Sequence, residues 1–164
     1  VFFFFFYFNM KKVMTLCIVH DKTRVLLGMK KRGFGMGKWN GFGGKVNANE
    51  TILEATKREL KEEADIDAND LIEMGIIEFE FKRNPEILEV HIFKGLNYTG
   101  KPKEGEEMKP EWFKIDEIPF DKMWPDDKYW FPMLLDNKRF EGRFVFGERG
   151  EILEYRLNEV PSIA

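Results

Sequence analysis

Residues 44–66 read GKVNANETILEATKRELKEEADI, and this stretch decides how the whole chain is read. Its core, Arg58-Glu59-Leu60-Lys61-Glu62-Glu63, sets three carboxylates within five positions. In a helix Glu59 lies about one turn from Glu62 and Glu63, so the three crowd a single face, where like charges repel. A glutamate-rich run between lysines is ordinarily a solvated helix face. It acquires a purpose when a cation sits among the acids. A hard divalent ion such as Mg2+ takes oxygen ligands and keeps positions open for phosphate oxygens and water. Thr51 and Glu54 have the spacing of a capping box, which starts the helix near Thr51. Leu53, Leu60 and Ala64, with Ile52 and Thr56 beside them, are expected to form an apolar stripe opposite the acidic one.

Immediately before the helix runs Trp39-Asn40-Gly41-Phe42-Gly43-Gly44-Lys45-Val46, with three glycines in four positions. Such a segment suits positive φ and close backbone approach to an anion, and the nearby helix start adds N–H donors.

The pattern Gly44, five residues, Glu50, seven residues, Arg58-Glu59-Leu60, one residue, Glu62-Glu63 resembles the Nudix box of the MutT-like pyrophosphohydrolases. One position departs from it. Asp65 stands where the box has Gly, followed by Ile66. That position ends the helix, often in the left-handed conformation, at a cost for Asp of roughly 1 kcal/mol relative to Gly. The resemblance covers residues 11–160 and implies an α/β Nudix fold, a mixed β-sheet sandwiched between α-helices (an α/β/α sandwich). It also implies Mg2+, with Mn2+ as a substitute, held by Glu59, Glu62 and Glu63, by the Gly43 carbonyl and by a glutamate of the later charged loop. Glu107 is the loop residue assigned, with Glu104 and Glu106 as close rivals. Glu63 is expected to be the carboxylate to which turnover is most sensitive. Arg58 is expected to orient the cluster by ion pairing, and Glu50 to assist from outside it.

The rest of the chain fits this frame. A strand over 13–19 returns as a hairpin partner over 24–29, and 30–37 form a basic, glycine-rich loop. Strands follow over 73–82 and 88–97, then a charged loop over 101–109 and a short strand from Trp112. A second helix over 127–135 precedes a closing hairpin over 143–148 and 152–157. A chain of 164 residues has room for one domain. A net charge of −3 without a basic stripe argues against a nucleic-acid partner. The single cysteine, Cys17, lies in an apolar run and cannot form an internal disulfide, which suits the reducing cytosol. His20 and His91 are too few and too far apart to suggest zinc. Residues 1–9, mostly phenylalanine, are too short for a bilayer span of about 20 residues and lack the basic start of a signal peptide. They are read as an extension preceding a natural start at Met10, so that 10–164 form one Nudix domain. The expectation is a cytoplasmic monomer with no membrane partner, mitochondrial and nuclear pools being left open.

A pyrophosphate site leaves the base undetermined. Aromatic residues are 15% of the chain. Phe34, Trp39, Trp124 and Trp130 are assigned to loops, where stacking on a base is worth roughly 1–3 kcal/mol per stack. Asp126 and Asp127 follow Trp124-Pro125; such a pair is ordinarily a helix N-terminus, where acids favour the dipole. In a buried pocket the two could not both ionise cheaply, so one would keep its proton and the pair would be donor and acceptor at once. The Asn40 amide, which also donates and accepts, could read the other side of a base.

These segments, together with Lys30-Lys31-Arg32-Gly33-Phe34-Gly35, resemble the oxidised-purine nucleoside triphosphatase branch of the family found in animals. The resemblance implies hydrolysis of 8-oxo-dGTP and 2-hydroxy-dATP, and in relatives O6-methyl-dGTP and N6-methyl-dATP, to the monophosphate and pyrophosphate, which sanitises the nucleotide pool. By position, Thr15, Lys30, Asn40, Phe42, Gly43, Gly44, Lys45, Trp124, Pro125, Asp126 and Asp127 would contact the nucleotide. Phe34, Phe79, Trp130 and Phe146 would wall the pocket, and Leu88 stands where that branch can have Met. The competing readings are a Nudix hydrolase of ADP-ribose or capped RNA, and a non-catalytic nucleotide-binding module.

Overall fold

The structure, a computed structural model, describes residues 10–163. The reading of residues 1–9 as an extension lies outside the described residues. The first strand, β1 (Lys11–His20), shows why the chain stacks in layers. Cys17 and Val19 face one side and pack with Leu60 and Ala64 of α1 (Ile52–Ala64). Ile18, pointing the other way, packs with Trp130, Phe131 and Leu134 of α2 (Asp127–Leu135). Period-two alternation thus feeds two cores on opposite faces, each closed by one helix. The expected helix–sheet–helix sandwich is what forms.

The remaining strands are β2 (Arg24–Lys30), β3 (Trp39–Asn40), β4 (Phe42–Lys45), β5 (Asp67–Ala68), β6 (Ile72–Phe81), β7 (Asn84–Gly95), β8 (Tyr98–Thr99), β9 (Met108–Lys114), β10 (Arg139–Phe146) and β11 (Ile152–Val160). The main sheet runs β11-β10-β6-β7-β1-β2-β3, with β4 also on β1 and β9 also on β2; β5 and β8 form a separate pair. β1 pairs with β7 in parallel, and β10 with β6; the other pairings are antiparallel. Along its second edge β1 changes partner. Met14 to Cys17 pair with β4, whereas Val19 and His20 pair with β2. This change of partner splits the sheet, and residues from both branches line the cavity described below.

Several expectations are corrected. The glycine-rich segment before the helix is largely strand, and Gly41, Gly43 and Gly44 do not take the positive φ expected of them. Close approach is what demands glycine there: a Cβ on Gly43 would collide with the Thr15 carbonyl across the β1–β4 ladder, and one on Gly44 would lie 2.5 Å from a Glu59 carboxylate oxygen. Trp39 lies in β3, edge-on to Phe113 in the core, and Trp130 lies in α2; neither is a loop residue. The strand expected to begin at Trp112 spans Met108–Lys114, because its partner β2 continues the ladder to Lys30.

In α1, Thr51 accepts the Glu54 N–H and the Glu54 side chain accepts the Thr51 N–H, completing the box. Asp65 closes the helix at φ 56°, the left-handed position expected of it. The apolar stripe is different from the one expected. Leu53 is 41% exposed, and the buried face is Ala55, Thr56, Leu60, Glu63 and Ala64. Glu63 shares it because it stands three residues, about one turn, beyond Leu60. The acidic and apolar faces therefore meet at Glu63. Cys17 is fully buried, and burial pushes its thiol up to about 12.

Candidate active site

Arg58 organises the acidic end. Its guanidinium donates to both Glu50 oxygens at 3.0 and 2.6 Å, to Glu59 at 2.9 Å, to Glu62 at 3.3 Å and to the Lys45 carbonyl at 3.0 Å. Hydrogen bonds from this fork hold Glu50 down at about 2. Glu59 responds differently. Burial raises its pKa, the charges of Glu62 and Glu107 add to the rise, and the Arg58 bond opposes it. Glu63 is 7% exposed and accepts the Gly43 N–H at 2.7 Å; burial pushes it up to about 7 despite that bond.

Glu59, Glu62, Glu63, Glu106 and Glu107 line one cavity of about 300 Å³. Among the described residues no three of them already form a metal-ligand set, since several are held by neighbours: Glu59 and Glu62 by Arg58, Glu63 by Gly43, and Glu107 by Lys30 at 3.4 Å and Arg32 at 3.3 Å. Of the three rival loop acids, Glu107 alone lines this cavity and the larger one beside it. Glu104 pairs with Lys31 and lines neither.

The larger cavity, about 660 Å³, opens between the branches of the sheet. Glu63 and Glu107 line both cavities, so the acidic cavity and the aromatic one form one continuous site. Phe79 and Phe81 come from one face of β6, and Leu88, Val90 and Ile92 from one face of β7. Phe34, 69% exposed, stacks on Trp124 with ring centroids 5.0 Å apart. At the far wall Asp126 accepts the Trp130 indole N–H at 2.8 Å. Asp127 is 2% exposed, and its Oδ2 is buried without a hydrogen-bond partner. Burial raises both carboxyls, and the Asp126 charge raises Asp127 further. Two adjacent acids with little else to neutralise them retain a proton between them.

Of the positions expected at the nucleotide, Thr15, Lys30, Phe34, Asn40, Gly43, Gly44, Phe79, Trp124, Asp126, Asp127, Trp130 and Phe146 all line this cavity. Thr15 also hydrogen-bonds Thr56 of α1. Phe42, Lys45 and Pro125 do not line it. Phe42 stands opposite Cys17 in the ladder and is buried in the α1 core; Lys45 turns its side chain to solvent and offers only its carbonyl to Arg58. Arg32, Lys38 and Phe81 line the cavity without having been singled out. Phe81 was legible, as Phe79 plus two in a strand; the two cations were hidden in a loop whose path no periodicity reveals.

A family model described as the NUDIX domain matches residues 10–134. The chain is 53% identical over 151 residues to the oxidized purine nucleoside triphosphate hydrolase of Mus musculus, spanning 92% of this chain and 97% of that one. The Danio rerio protein of the same name is 53% identical over 152 residues, spanning 93% and 97%. The solved structure of a MutT protein from Bacillus halodurans matches with a TM-score of 0.80 at 34% identity, covering 90% of this chain and 97% of that one.

Proposed function

The chain belongs to the Nudix family, and from that premise we propose that it hydrolyses oxidised purine nucleoside triphosphates, 8-oxo-dGTP and 2-hydroxy-dATP first among them, to the monophosphate and pyrophosphate. O6-methyl-dGTP and N6-methyl-dATP belong to the same substrate range. One observation carries the reading: an acid-lined cavity sized for metal and phosphate opens, through Glu63 and Glu107, into an aromatic cavity ending in a buried pair of aspartates. The animal relatives' name and identity point the same way.

The donor set fits a hard divalent cation, because it is all oxygen and includes two carboxylates whose burial makes their charge costly without one. Glu59, Glu62, Glu63, Glu107 and the Gly43 carbonyl would hold Mg2+, or Mn2+ in its place. When bound, the ion neutralises phosphate oxygens and lowers the pKa of a bound water. The chain's own groups do the rest. Arg58 keeps Glu59 and Glu62 oriented through its fixed fork. The Gly43 N–H takes one oxygen of Glu63 and leaves the other for the reacting centre. Lys30 and Arg32 are the cations placed for the polyphosphate. Phe34 and Trp124 offer a stacking surface, while Asn40 and the half-protonated Asp126–Asp127 pair read the purine edge as donor and acceptor. Pool sanitation in the cytoplasm by a monomer completes the proposal; among the described residues no helix is long and apolar enough to cross a membrane.

The test is kcat/KM with Mg2+ across oxidised, methylated and ordinary purine triphosphates, with ADP-ribose and a capped RNA included. Preference for the oxidised purines is expected. A preference for ADP-ribose or capped RNA would overturn the substrate assignment, and no metal-dependent release of pyrophosphate would overturn the enzyme.

A further inference from the structure

Three cations line the nucleotide cavity, and they are not equivalent. Among the described residues Lys30 and Arg32 are ion-paired to Glu107 at the phosphate end, whereas Lys38 makes no ion pair. Lys38 is half-buried, with Nζ 5.3 Å from the centroid of the Trp124 ring. The loop is shaped to put it there. Gly35 and Gly37 adopt φ of 82° and 85°, a backbone path that side-chain-bearing residues rarely follow. Lys38 is then pinned by its N–H to the Gly35 carbonyl and by its carbonyl to the Lys30 N–H, each at 3.0 Å. A Cβ on Gly35 would lie 3.3 Å from the Trp124 indole nitrogen, so loop and tryptophan are closely apposed.

We propose that Lys38 is a specificity-determining positioning residue, whose charge beside Trp124 keeps the Asp126–Asp127 pair from taking up a second proton and so maintains the one-proton form that reads a purine edge. The inference rests on the purine-triphosphatase reading above and assigns a group that tunes it. The charge balance at the pair is simple. Asp126 faces its neighbour Asp127 and the Trp130 N–H; Asp127 is raised first by burial and then by Asp126, while its backbone contact at Trp124 and, more weakly, the charge of Lys38 oppose the rise. The other titratable groups lining the cavity are Lys30 and Arg32, already committed to Glu107, and Glu63 and Glu107 at the phosphate end. The β6 and β10 walls contribute Phe79, Phe81 and Phe146, which carry no charge. Lys38 is thus the cation available to oppose double protonation.

The sign follows directly. A nearby positive charge favours a carboxylate and lowers its pKa, so removing it raises the pair's first ionisation. In Lys38→Met the acid limb of kcat/KM for an oxidised purine triphosphate should move up by about half a pH unit to one unit. Lys38→Arg, which keeps the charge, should stay within a few tenths of the parent. A second readout needs neither metal nor turnover. The Asp126-linked change in tryptophan fluorescence of the free protein, identified by its loss in Asp126→Asn, should shift by the same amount in Lys38→Met. An unmoved titration in Lys38→Met, or an equal shift in Lys38→Arg, overturns the role of the charge. If the parent enzyme ignores oxidised purines while the fluorescence shift appears, the substrate reading fails and the action of Lys38 on the pair stands.

Discussion

The two ends of the site surround their carboxylates with different partners. At the phosphate end a guanidinium is embedded among the acids, and Glu50 is held at about 2 by direct bonds from Arg58. At the other end Asp126 and Asp127 have each other, an indole N–H and a lysine lining the same cavity, and both are raised by burial. At the acidic end Arg58 holds the Glu50 charge while burial raises Glu59 and Glu63, and at the far end burial raises both carboxyls of the pair. Glu63, pushed up to about 7, stands between them and lines both cavities. The lesson is that burial alone does not set the state of an acid. A partner within hydrogen-bonding reach sets the charge where burial is slight, as at Glu50, and yields to burial where it is deep, as at Glu59, Glu63 and Asp126.

The sharpest way to break this contrast is at its junction. Glu63→Gln removes the charge and keeps the shape, and turnover should fall by roughly a thousandfold with little change in nucleotide affinity, the range typical of losing a positioned acid–base group. Single-turnover rates and equilibrium binding check it; retained turnover removes Glu63 from the mechanism.

At the base end, Asp126→Asn should reduce the preference for oxidised over ordinary purines by about ten- to a hundredfold, the value of a good bidentate base contact. The same change should stabilise the protein at alkaline pH. An acid whose folded pKa is raised contributes full stability below its unfolded pKa and loses it as pH rises through the folded one. Asp126, moved to about 6, therefore opposes folding above that pH, and Asn removes the penalty. A gain of about 2 kcal/mol at pH 8, absent at pH 4, is expected in chemical denaturation. Equal gains at both pH values would deny the buried proton.

Arg58→Lys tests the other side. A lysine cannot reproduce the forked contacts to Glu50, Glu59 and Glu62, so metal affinity measured by titration calorimetry should weaken by about ten- to a hundredfold while base preference holds. A change in base preference would mean that the two ends are coupled. The smallest effect is expected at Asp65→Gly, where relief of the left-handed φ should add about 0.5 kcal/mol, offset in part by the lost Lys61 ion pair, and leave kcat unchanged.

The acidic helix was legible in residue order because everything that makes it is local. Thr51 and Glu54 cap it, Asp65 ends it, and Arg58 reaches Glu59 and Glu62 within a turn. Helical period and short-range spacing carry such information directly. The layer arrangement was legible for a related reason, since alternation in β1 assigns each residue a face before any partner is known. What residue order left open was whatever depends on a distant neighbour. Gly43 reads as a positive-φ glycine until the Thr15 carbonyl is placed against it; Phe42 and Trp39 read as pocket aromatics until ladder register turns them into cores. The pair Asp126–Asp127 could equally have been a solvated helix start, and only its near-complete burial makes it retain a proton. Local spacing determined which chemistry the chain can attempt; tertiary burial decided the protonation and exposure of each group, because desolvation is a property of surroundings and not of sequence distance.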